Sequence, residues 1–118
     1  MISWRKHYKR GLIAIGLLLS TSASIYAQGD AKNGEKLFKA NCTACHALDK
    51  QLVGPALGGV VDRLKKEQNL DTDWLHKWIK DNKSLRESGD KYAIEVYEKF
   101  NKTEMLAYPN LTDQDIND

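Results

Sequence analysis

The chain has 118 residues, enough for one domain and too few for two. Its formal net charge of +2 hides an asymmetry: Arg5, Lys6, Lys9 and Arg10 precede an apolar run without acidic company, and from Gln28 onward 14 Lys plus Arg face 16 Asp plus Glu. That mildly acidic balance excludes nucleic acid as a partner, and the interspersed charges read as an ordinary solvated surface.

Residues 1–27 form a separate unit. A cationic start, the apolar Gly11-Leu-Ile-Ala-Ile-Gly-Leu-Leu-Leu19 and the small residues leading to Tyr26-Ala27-Gln28 have the layout of a secretory signal peptide. Cleavage after Ala27 is the first choice and after Ala23 the second. The alternative is an uncleaved membrane anchor, with residues 11–27 at the low edge of what spans a bilayer. No Cys lies near the cleavage region, so a lipid-anchored amino terminus is not supported. On either reading the basic residues keep the amino terminus in the cytoplasm and send residues 28–118 across. A mature chain of about 90 residues buries only a modest apolar area, and a large apolar cofactor would supply much of the missing core.

The remainder reads as all-α. Asp30 to Asn41 carries an N-cap candidate in Asp30 and a face of Gly34, Leu37, Phe38 and Asn41 at helical spacing. Both cysteines of the chain then fall in Cys42-Thr-Ala-Cys45-His46, the c-type haem attachment pattern. On a helical turn, residues three apart project from one face, so both thiols reach the two vinyl groups of one haem. The next residue, His46, directs its imidazole at the iron from the same side.

Three other uses of the cysteines compete. A disulfide across so short a loop stabilises little. A thioredoxin-like dithiol should follow a strand, and a helical pattern precedes this one. A zinc site would need further Cys or His, and only His76 remains in the globular part.

Leu52-Val-Gly-Pro-Ala-Leu-Gly-Gly59 is turn-rich and not helical through Pro55. A short helix is expected from Val60 to Glu67. Thr72 to Lys80 places Trp74, Leu75, Trp78 and Ile79 on one stripe, with Asp71 or Thr72 as cap. His76 lies among them but off the stripe, and is expected on the solvent side. Gly89-Asp90 marks a stop and a new cap, and Tyr92, Ala93, Val96, Tyr97 and Phe100 form the next stripe. Met105, the only methionine after Met1, stands in a loop before Tyr108-Pro109. Thr112 suits an N-cap, Asp113 and Asp115 place negative charge in the first turn, and Leu111 and Ile116 occupy the positions of a hydrophobic staple.

Residues 30 to 118 resemble the class I c-type cytochromes, the monohaem cytochrome c family. The features that carry the resemblance run in order: the helix with Gly34 and Phe38, Cys42-x-x-Cys45-His46, Gly54-Pro55, the lone Met105, and Asn110-Leu-Thr-Asp113 opening a last helix. The resemblance implies a small helical domain wrapped around one covalent haem c. It also implies Met105 as sixth iron ligand, opposite His46, with His76 as rival. Pro55 would present the carbonyl that sets the tautomer of His46. Trp78 would line the haem pocket and bond a propionate, or else be plain core. In such proteins the last helix runs on and crosses the first near Gly34. Here only six residues follow Thr112, so the helix is expected to be incomplete, leaving Leu37 and Phe38 exposed unless another segment or subunit covers them.

The function implied is one-electron transfer in a bacterial respiratory chain, in the periplasm or on the periplasmic face of the inner membrane, and not enzymatic catalysis. Partners would be a redox donor and acceptor, membrane respiratory complexes above all, with Lys39, Lys50, Lys99 and Lys102 candidates for a docking ring. Residues 11–27 would give any membrane association. Two alternatives stand beside it: a haem subunit or domain of a larger membrane respiratory complex, and a haem enzyme or gas sensor with an open sixth site.

Overall fold

A computed structural model describes residues 29–118, and the expected leader or anchor lies outside them. Helix α1 spans Ala31–Asn41, α2 Val60–Arg63, α3 Thr72–Glu87, α4 Lys91–Lys99 and α5 Asp113–Asn117. Among the described residues there is no strand. None of their helices is long and apolar enough to cross a membrane.

Helix starts are written in short polar side chains, because the first N–H groups of a helix have no partner within it. Asp30 accepts from the amides of Lys32 and Asn33 at 3.0 and 3.2 Å. Asp71 does the same for Asp73 and Trp74, and Asp90 accepts from Ala93 at 2.8 Å. Thr112 and Asp115 form a reciprocal capping box at the start of α5.

Two elements differ from expectation. The helix expected over Val60–Glu67 loosens after Arg63 into a π-helical turn, Leu64–Gln68, which ends at Asn69. Helix α3 runs seven residues past Lys80, with a break at Asp81, whose backbone is extended (φ −160°, ψ 77°). There the Asp81 carboxylate accepts from both the amide and the hydroxyl of Ser84. Asp81 therefore acts as an internal cap, and α3 is two helices joined end to end. The apolar stripe stops at the break.

The core is small. Leu64, Trp74 and Ala93 are buried, and Val60, Leu70, Leu75, Trp78, Leu85 and Tyr92 pack around them. Trp74 and Trp78 stack with ring centroids 5.4 Å apart, and Tyr92 leans on Trp74 at 5.1 Å. The Trp74 indole N–H donates to the Asp90 carboxylate at 3.2 Å. One residue thus caps α4 and pins it to α3.

Helix α5 packs on both α1 and α3. A side chain at Gly34 would meet the Asp118 carbonyl oxygen at 2.2 Å, so this close crossing requires glycine. The Asp118 carboxylate accepts from the Asp30 amide and the Asn33 side chain at 2.8 and 2.7 Å. Leu37 and Phe38, expected to be exposed unless another segment covers them, are half-buried. His76 departs from expectation. It sits half-buried against α5, with Nε2 2.9 Å from Asn117 Oδ1, because α5 folds back over that side of α3.

Candidate functional site

The Cys42–His46 motif extends the end of α1 by one turn. Cys42 is the C-cap residue, its amide bonding Phe38 O at 2.8 Å. The Cys42 carbonyl in turn accepts from Cys45 N and His46 N at 3.1 and 2.9 Å. Both thiols are free, Cys42 half-buried and Cys45 exposed. Burial pushes the Cys42 thiol above its ordinary value.

The segment after the motif doubles back along it. Leu57 N bonds Ala47 O and Gly58 N bonds Leu48 O, while Gly54 N bonds Cys45 O. The Arg63 guanidinium donates to the carbonyls of Ala56 and Gly58. This lays Gly54-Pro55 against the His46 ring. A Cβ at Gly54 would stand 2.3 Å from His46 Cε1, so only glycine admits the imidazole. The Pro55 carbonyl oxygen lies 2.9 Å from His46 Nδ1. A carbonyl can only accept, so Nδ1 donates the proton and Nε2 is the nitrogen left for another partner.

Met105 is held from α3. Trp78 directs its indole N–H at Met105 Sδ, 3.1 Å away, and buried Asn82 donates to the Met105 carbonyl at 3.0 Å. The Trp78 ring is stacked on Trp74. Tyr108 anchors the same loop at two ends. Its amide bonds Ile79 O at 2.9 Å, and its hydroxyl donates to Asn41 O at 2.7 Å, beside Cys42. Burial, with the two nearby cysteines, pushes the Tyr108 phenol up. The rival His76 is engaged with Asn117 at the α5 contact.

The positioning contacts of Asn82, Arg63 and Tyr108 are not signalled by any motif, although Tyr108 stands in the loop that carries Met105. Asn82 alone carried a usable signal, standing four residues after Trp78. Of the lysines considered for docking, Lys39 pairs with Glu35 and Lys102 with Glu98.

The candidate donors are two free thiols one helical turn apart, an imidazole whose Nε2 has no hydrogen-bond partner among the described residues, and a thioether. Exposed Leu48, Leu52 and Val53 follow the imidazole, and exposed Leu106 follows the thioether. Thiols suit vinyl groups, imidazole and thioether suit iron, and the apolar flanks suit a porphyrin face. The residues present fit a covalently held haem.

The family described as Cytochrome c matches residues 31–118. A cytochrome c2 of Rhodopseudomonas palustris is 54% identical over 44 residues, covering 37% of this chain and 31% of that protein. The cytochrome c-type cyt cy of Rhodobacter capsulatus is 56% identical over 36 residues, 30% of this chain and 18% of the relative. A cytochrome c of Arabidopsis thaliana is 46% identical over 44 residues, 35% of this chain and 39% of the relative. The alignments thus span under half the length of these relatives. No solved structure matches.

Proposed function

From the premise that this chain belongs to the cytochrome c family, with covalently attached haem c as its cofactor, we propose that it is a one-electron carrier of a bacterial respiratory chain. Its haem is bound through Cys42 and Cys45 and ligated by His46 and Met105. The observation that carries the reading is the His46–Pro55 contact, which engages the proton on Nδ1 and would leave Nε2 to bind a metal.

When bound, the haem supplies a reversible Fe(III)/Fe(II) couple. The chain's own residues do the rest. Cys42 and Cys45 hold the cofactor covalently, which matters outside the cytoplasm, where lost haem is not easily replaced. Pro55 O fixes the ring of His46 and raises its basicity as a ligand. Met105 contributes a thioether, a ligand that favours the reduced state and raises the potential. His46 and Met105 would together hold the iron, leaving no position for a substrate and outer-sphere electron transfer as the chemistry. Donor and acceptor are redox proteins, and the basic residues ahead of the apolar run support delivery of the domain to the periplasmic side.

The test is the ferric absorption spectrum. The wild type should show the weak red band of an iron–thioether bond, and Met105→Ala should lose it, bind added ligands and fall in potential. A spectrum unchanged by Met105→Ala would hand the role to His76, or to no residue at all, as in a haem enzyme or gas sensor.

A further inference from the structure

We propose that Asn82 and Arg86 are positioning residues that clamp Met105 in its ligating place, a reading that rests on Met105 being the sixth ligand. Trp78 stands before the Asp81 break of α3, and Asn82 and Arg86 follow it one turn apart. Each reaches a different part of one dipeptide. Trp78 meets the Met105 sulfur at 3.1 Å, Asn82 the Met105 carbonyl at 3.0 Å, and Arg86 the Glu104 carboxylate at 2.6 Å.

The two further residues are unusual in their surroundings. Asn82 is only 2% exposed and is the buried polar residue of the described domain. A buried amide needs a partner, and its Nδ2 finds one in the backbone of Met105. Arg86 lies with its guanidinium 3.8 Å over the Tyr97 ring, and its Nε is buried with no partner. Arginine is seldom buried so deeply without being held to a partner. Its ion pair here is with Glu104, the neighbour of Met105. The clamp therefore ties the loop through its backbone and its preceding side chain to α3, and through Tyr97 to α4. The break at Asp81 falls between Trp78 and Asn82, so it sets how the two halves of the clamp are angled.

The experiment uses the ferric, haem-loaded protein with imidazole as probe. At saturating imidazole, the displacement rate is limited by how often Met105 leaves the iron. Asn82→Leu keeps the branched shape and deletes the donor, and should raise that limiting rate about tenfold or more, since it strands the part-buried Met105 carbonyl. Arg86→Lys keeps the charge but loses the planar pairing, and should raise it severalfold. A merely structural role would lower the melting temperature and leave the limiting rate alone, and wild-type rates in both variants would overturn the proposal. Should Asn82→Leu fail to fold, Glu104→Gln alters only an exposed partner and should still raise the rate. Met105→Ala is run alongside. If it leaves the wild-type spectrum unchanged, the ligand reading itself fails. If it abolishes the iron–thioether band while the clamp variants behave as wild type, only the clamp fails.

Discussion

A ligand histidine is useful only if its metal-facing nitrogen is unprotonated, and here one backbone carbonyl arranges that. Pro55 O accepts from Nδ1, and Gly54 clears the space in which the ring lies. Gly54→Ala should therefore be costly. Its Cβ would stand inside the ring's contact distance, and relieving such overlap costs about 1–3 kcal/mol. We expect lower thermal stability together with a perturbed ligand spectrum, because the ring must tilt away from Pro55. A melting curve and a ferric spectrum of the variant check this, and an unaltered spectrum would show that the ring position does not depend on Gly54. Both residues were visible in the sequence because the motif and the Gly-Pro pair carry their own local chemistry. The direction of Trp78 was not visible. It depends on Trp74 stacking beneath it and on a loop 27 residues away, neither of which spacing encodes.

Among the elements, caps were legible and lengths were not. Asp30, Asp71, Asp90 and Thr112 each announce a helix start, since a short acceptor there satisfies stranded amides whatever the tertiary context. The second half of α3 was hidden because Asn82-Lys-Ser-Leu-Arg-Glu87 carries no apolar stripe, and its helicity comes from the Asp81 cap. Asp90 serves both α4 and Trp74, so Asp90→Ala removes a cap and strands a partly buried indole N–H. It should cost about 1–3 kcal/mol, read by chemical denaturation. The α5 docking carries a pH signature. Asp113, Asp115 and Asp118 are all held below the usual aspartate range, chiefly by Lys80, by Thr112 and by Asn33 respectively. A carboxylate depressed in the folded state contributes stability above its unfolded value and loses it as pH falls through the folded one. Amide-exchange protection in α5, relative to the intrinsic rate at each pH, should hold above about pH 4 and fall below it, ahead of α3 and α4. A uniform loss of protection across all helices would contradict the assignment.

Taken whole, the described domain of residues 29–118 is held by a buried apolar nucleus of Leu64, Trp74 and Ala93. Domains of this size are marginal without a cofactor, metal or cross-link to extend the core. Exposed Leu48, Leu52, Val53 and Leu106 flank the site residues in the chain, where a haem face would cover them. Cys42→Ala/Cys45→Ala should accordingly yield a chain that binds no haem covalently, and melts earlier and less cooperatively than the wild type. Length foretold the small core, and the all-α class followed from the periodicities. The family resemblance implied a crossing near Gly34, and what needed the structure is that so short an α5 reaches it, with Asp118 closing on the glycine. The most direct test of the central claim is mass spectrometry of the denatured protein and its proteolytic peptides. The peptide holding Cys42–His46 should carry the mass of one haem through denaturation and acid–acetone. A bare peptide, with the pigment lost to the solvent, would contradict it.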